Sequence, residues 1–273
     1  MNNKYLPLSD VQRSYFYGRS KGTFLGGIST HFYIECMTSL DKDKLEKALN
    51  SVIKEQPSLR SYITSDGMQC CMDEAPEYYR IKETDISRLS YEEQEKKLLE
   101  IRKRCSNRIF DLDSWPMFEF NICITGRDKN VMIIDSDMMI MDGLSTEILI
   151  ESLYKYYEKD EPVREISIEA FEDHIALKEQ KKAENYDNDK AFWKEIIEEL
   201  PSGPHFERTG GNEERTFDTR EISVPADKWG AKSRELKSER ILPSVYLTAA
   251  YAKLLSRWCG QSRITLNMTM SNR

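Results

Sequence analysis

The sequence predicts an α/β fold, and three observations predict it. Through the first 160 or so residues, runs that alternate polar and apolar side chains take turns with runs whose apolar residues recur every three or four positions. Two pairs of the alternating runs flank short polar turns, Ser65-Asp66-Gly67 and Gly126-Arg-Asp-Lys-Asn130. The stretch Val131–Ser145 passes from an apolar β-type run straight into a helical pattern. These features describe an open sheet with helices on one side.

The elements follow in order. Phe32–Met37 alternates as a strand, and Leu45, Leu49, Val52 and Ile53 then recur at helical spacing. Ser61–Ile63 and Met68–Met72 form the two arms of a hairpin turning at Gly67. Tyr91–Arg108 is a highly charged amphipathic helix with Leu98, Leu99 and Ile101 inward. Met117–Thr125 and Val131–Met138 are a second pair of strands, and Leu144–Tyr157 is a helix broken by Lys159-Asp-Glu-Pro162. Residues 163–200 read as two further helices striped by Phe171, Ile175, Phe192, Trp193 and Ile197. Thr209–Arg215 is a polar loop, a long helix runs from about Pro243 to Trp258, and Ile264–Met270 reads as a strand. The break near 159–163 is the natural boundary, dividing the chain into 1–162 and 163–273.

Composition narrows the class. A chain of 273 residues, 39% hydrophobic and 32% charged, is long enough for one large domain or two lobes. Its net charge of −7 argues against nucleic acid, which wants clustered Lys and Arg. No apolar run approaches the ~20 residues of a membrane helix, and Met-Asn-Asn-Lys-Tyr lacks the apolar core of a secretory signal. The six Cys include no Cys-x-x-Cys pair and are expected to be reduced thiols of a cytoplasmic protein.

The acidic residues of Val131–Ser145 stand out because burying a carboxylate is costly unless it is paired or hydrogen-bonded. Asp142 also reads as an ordinary helix cap. Asp135, Asp137 and Asp142 do not make a metal centre, since hard-cation sites draw backbone and Glu oxygens from a dedicated loop. The stretch lacks the glycines of a phosphate-binding loop, and Met138-Met-Ile-Met141 reads as core filling.

Leu6-Pro-Leu-Ser-Asp-Val-Gln-Arg-Ser-Tyr-Phe-Tyr-Gly-Arg19 resembles the opening motif of the heterocyclization domains of nonribosomal peptide synthetases, a branch of the condensation-domain superfamily. Ordinary condensation domains carry two adjacent His, three residues, then Asp-Gly; aligned on Asp142-Gly143, those His positions hold Asp137 and Met138. Heterocyclization domains instead show Asp, four residues, Asp, two residues, Ser, which Asp137, Asp142 and Ser145 match. Leu59-Arg60 with Asp66-Gly-Met-Gln69 resembles part of the second motif, where Glu55-Gln56 replaces the usual Arg-His. Phe110–Phe118, Leu200-Pro201 with Pro204, Pro243–Trp258 and Leu266–Arg273 resemble later segments. The family's last motifs have no counterpart, so the chain is expected to be the front part of a domain, inactive or badly impaired alone.

The resemblance implies a chloramphenicol-acetyltransferase-like fold, α/β (an α+β sandwich), with two lobes facing each other across a tunnel. Residues 1–162 would be the N-terminal lobe, and 163–273 linker helices and an incomplete C-terminal lobe. It implies that an acyl donor on one carrier protein is joined to Cys, Ser or Thr on another, and that cyclodehydration then gives a thiazoline or oxazoline. Asp137, Asp142 and Asn267 are the candidate catalytic residues. Asp137 would face the tunnel and position the acceptor amine, or else be a carboxylate held by backbone N–H groups. Asp142 would form a buried ion pair with Arg273, or with Arg60, and Ser145 would support the helix start. Asn267, Thr269 and Asn272 would border the tunnel, and Asn267 and Thr269 share a strand face; unexceptional strand polarity explains them as well. Tyr15, Gly18 and Arg19 belong to a motif near the tunnel, Gly18 suiting close backbone approach and Arg19 pairing with Asp10 or another carboxylate. With Met138 at the second His position, and His31, His174 and His205 distant in sequence, no imidazole is expected there. No cofactor is bound directly; substrates arrive on phosphopantetheine arms. Partners are carrier-protein domains and adjacent synthetase modules, with self-association through the incomplete lobe, and neither nucleic acid nor membrane. An amide-forming acyltransferase and an inactive docking or structural module remain alternatives.

Overall fold

A computed structural model describes residues 3–20, 22, 26–159, 161–206 and 222–268. By contact the chain separates into two units, Met1–Glu179 and Gln180–Arg273.

The first unit is built on two sheets. Strands β1 (Lys4–Pro7), β3 (Ser61–Ile63) and β4 (Met68–Cys71) form one, in the order β1-β4-β3, all antiparallel. Its hairpin turns at Gly67, whose φ of +80° is the left-handed region open to glycine. Strands β2 (His31–Thr38), β5 (Lys82–Asp85), β6 (Phe118–Ile124) and β7 (Asn130–Asp137) form the other, in the order β2-β7-β6-β5. Only β5 and β6 run parallel, and β2 pairs with β7 so that His31 lies opposite Asp137.

The larger sheet is covered on both faces, which corrects the expectation of helices on one side. Helices α2 (Lys42–Glu55) and α4 (Gly143–Glu158) lay Leu45, Leu49, Val52, Leu149 and Leu153 on Phe118, Phe120, Ile122, Met132 and Ile134. The opposite face takes Leu98, Ile101 and Cys105 of α3 (Tyr91–Ser106) against Cys123, Val131 and Ile133. The sign of this was the unbroken run Val131–Ile134, apolar at both parities, as strands buried on two faces are. Leu99, expected inward, is 49% exposed because the stripe facing the sheet is Leu98, Ile101 and Cys105. Each fully buried Leu or Ile contributes about 1.5–3 kcal/mol, so the α2–sheet layer dominates this unit's stability.

Local capping sets where the helices begin. Ser9 and Gln12 form a capping box on α1 (Asp10–Gly18), and Ser90 and Glu93 form one on α3. The Asp41 carboxylate accepts from Lys44 N at the start of α2.

Residues 168–196 make one helix, α5 (Ile168–Ile196), rather than two. Ile168, Phe171 and Ile175 pack with Leu6 and Cys71, so the helix starts in the first unit and the division falls after Glu179, beyond the break at 162. Phe192, Trp193 and Ile197 are each more than half exposed. The second unit adds α6 (Ala226–Ser238) and α7 (Pro243–Cys259), which starts on Pro243 and ends at Gly260, φ +66°. The expected strand at 264–270 is not formed over its described residues, 264–268. Thr265 N there donates to Ser202 O at 3.1 Å, a loop contact in place of a ladder. The expected loop Thr209–Arg215 lies outside the described residues.

Candidate functional site at the junction of β7 and α4

Asp137 ends β7 and is fully buried. Strand parity turns it, with Asp135, toward the α3 face of the sheet. Arg19, which caps the end of α1, meets it there: Nη1 donates to Oδ2 at 3.1 Å, and Nη2 lies 3.0 Å from Oδ1 and 3.1 Å from Oδ2. Ser29 Oγ donates to Oδ2 at 2.6 Å, and Met139 N donates to Oδ1 at 2.9 Å. Both oxygens are therefore engaged. Of the two expectations for Asp137, a tunnel-facing group or a carboxylate held by backbone N–H groups, the geometry is nearer the second, with one backbone N–H joined by a guanidinium and a hydroxyl, as a buried carboxylate needs.

The following turn is held just as closely. Asp137 N donates to Met117 O at 3.0 Å, Met138 N to Thr30 O at 2.9 Å, and Ile140 N to Asp137 O at 3.2 Å. Gln12 Nε2 donates to Met139 O at 2.7 Å, tying the opening segment to the turn a second time. Met139, Ile140 and Met141 are buried in the main core.

Asp142 is exposed and caps α4, accepting from Ser145 N at 2.9 Å and from Ser145 Oγ at 2.7 Å. The expected cap is therefore present, and the burial expected of an ion pair is not, since Asp142 is exposed. Arg60, one expected partner, is buried and donates instead to the carbonyls of Ile53, Lys54 and Met72. Arg273, the other, lies outside the described residues, as do Thr269 and Asn272.

Tyr15 packs partly buried against the main core, and its carbonyl accepts from Arg19 N. Asp10 is taken by Arg13, leaving Arg19 to Asp137. Among the described residues, a side chain at Gly18 would meet nothing within 4 Å. Asn267, in the second unit, is exposed and lines a groove of about 570 Å³ with Phe206, Tyr251, Leu254 and Trp258.

Sequence reasoning missed three participants. Ser29 and Thr30 precede β2 in an unremarkable stretch, and only the β2–β7 pairing brings them to Asp137. His31, far away in sequence, sits opposite Asp137, but its ring faces Ser29 O and Cys105 O. A second charged cluster lies one strand repeat back. Arg108 Nε is 2.9 Å from Asp135 Oδ2 and Arg108 Nη2 is 2.9 Å from Glu119 Oε1. The Asp135 oxygens are buried without a well-directed N–H or O–H donor among the described residues. Burial pushes the Asp135 carboxyl up to about 6, against the pull of Arg108 and His31.

The family model for the condensation domain matches residues 2–273. The chain belongs to the condensation-domain family. This condensation domain is 26% identical to bacitracin synthase 1 of Bacillus licheniformis over 99% of its own length and 5% of that protein's. It is 26% identical to the phenyloxazoline synthase MbtB of Mycobacterium bovis, covering 98% of itself and 19% of that protein. Among solved structures it matches the EpoB cyclization-docking bidomain from Sorangium cellulosum with a TM-score of 0.78 and 25% identity, over 95% of this chain and 52% of that one. The heterocyclization-type resemblance and the chloramphenicol-acetyltransferase-like fold hold for the condensation domain described here. It spans a small part of the length of those synthases and about half of the bidomain.

Proposed function

We propose that this condensation domain is part of a heterocyclization domain of a nonribosomal peptide synthetase. The intact domain joins a carrier-bound acyl donor to carrier-bound Cys, Ser or Thr and closes the product to a thiazoline or oxazoline. The observation that carries the reading is the contact between Arg19 and Asp137, because it joins the two motifs that mark the heterocyclization branch. A His at position 137 would be a poor match for the bidentate guanidinium that a carboxylate accepts. The opening arginine and the acidic replacement therefore make sense as a pair. MbtB, named for a phenyloxazoline, and EpoB, described as a cyclization domain, support the same branch.

On this reading Asp137 is a clamp that shapes the turn, Asp142 and Ser145 start α4 behind it, and Asn267 contacts substrate. Substrates arrive on phosphopantetheine arms of carrier-protein domains in adjacent modules, in the cytoplasm. The test is incubation of the full-length protein with donor- and acceptor-loaded carriers, followed by mass spectrometry of the thioester product. The amide less one water is expected. Uncyclised amide alone would assign plain condensation, and carrier binding without product would assign a docking module.

A further inference from the structure

The two residues before β2 hold the last residue of β7 and the residue that follows it. Ser29 is buried, and its hydroxyl lies 2.6 Å from Asp137 Oδ2, the length of a bond from O–H to an ionised oxygen. Thr30 O accepts from Met138 N at 2.9 Å. We propose that Ser29, assisted by the Thr30 backbone, is a positioning residue that sets the conformation of the Asp137–Met141 turn.

The reason is the division of donors on the Asp137 carboxylate. The Arg19 guanidinium touches both oxygens and anchors the group from one side. Among the described residues each oxygen has one further donor, Met139 N on Oδ1 and Ser29 Oγ on Oδ2. Together with the guanidinium, these two set the rotation about the Cβ–Cγ bond. Remove the Ser29 hydroxyl and, among the described residues, Oδ2 keeps only the guanidinium, on a carboxylate that is fully buried. The carboxylate then turns toward Arg19, and Met139 N, bonded to the other oxygen, loses its acceptor geometry. Ser29 therefore acts on the turn through Asp137, touching no substrate itself. The catalytic consequence rests on the function proposed above; the structural one does not.

Both are measurable in the full-length protein with Ser29→Ala and Ser29→Thr, the second keeping the hydroxyl. Amide hydrogen exchange at Met139 should quicken about tenfold or more in Ser29→Ala, as loss of one charge-assisted bond predicts. Ser29→Thr should exchange like the native protein. Amide formation between loaded carriers should show kcat reduced about tenfold in Ser29→Ala with KM for the acceptor carrier unchanged, and Ser29→Thr should restore it. Unaltered Met139 exchange in Ser29→Ala, or native kcat despite faster exchange, overturns the assignment. If Ser29→Ala does not fold, Ser29→Cys keeps the shape and weakens the donor; intermediate exchange then supports the proposal and native exchange overturns it. A native protein that forms no amide would sink the functional reading, while the exchange comparison still decides whether Ser29 holds the turn.

Discussion

Replacing Arg19 by Met removes the guanidinium and keeps most of the stem's apolar volume. Asp137 is then left fully buried with Ser29 Oγ and Met139 N as its remaining donors among the described residues, three short N–H···O contacts having gone. Breaking a buried pair by deleting one partner typically costs about 3–5 kcal/mol. Two features bear on where in that range this pair falls. The surviving donors soften the loss, and Arg19 Nε is itself buried without an acceptor among the described residues, a native cost that the Met side chain removes. The lower end, about 3 kcal/mol, is therefore expected. Urea unfolding followed by circular dichroism measures it, with Asp137→Asn and the double variant completing a cycle. The double variant should be less destabilised than the two singles summed, because neither charge is then stranded. A loss below about 1 kcal/mol in Arg19→Met, or strict additivity in the cycle, would show that Asp137 does not depend on Arg19 and would remove the observation on which the functional reading stands.

Three further outcomes follow from the same structure. Asp135 is raised to about 6 in the fold, from 3.8, so its neutral form is the better bound. Its contribution is fully present below pH ~4 and is lost as pH rises through about 6, on the order of 1–3 kcal/mol. Asp135→Asn should thus stabilise at pH 7.5 relative to pH 4.5, read as the difference in denaturant midpoint from the native protein; equal shifts at both pH values would show that Asp135 has its ordinary affinity for protons. Leu49→Ala, at a position with no exposure, should cost about 2–5 kcal/mol, while Leu99→Ala, half exposed on α3, should change thermal stability little; comparable losses would misplace the α3 stripe. Asp142→Ala should lose a helix cap, about 1 kcal/mol in thermal unfolding, and a loss of 3 kcal/mol or more would reinstate the buried ion pair.

What the chain spells out by itself is local. Hydrophobic periodicity placed α2, α3 and α4 and the strands around Gly67 and Gly126, because each depends on residues a few positions apart. The motif spacing likewise located Asp137, Asp142 and Ser145 at a strand-to-helix junction and tied them to the opening segment. Partners across the chain were not legible, since strand pairing and helix docking select them. Arg19 had several carboxylates to choose from, and Arg13 took Asp10 while β7 presented Asp137. Ser29 gave no sign of its role until β2 paired with β7 and carried it to Oδ2. Asp142 read equally as a helix cap and as half of a buried ion pair, and the structure places it exposed at the cap. The tertiary structure decided these because a buried charge settles on whichever donors the packed elements bring within reach. Sequence distance, 118 residues for Arg19 and 108 for Ser29, has no bearing on that choice.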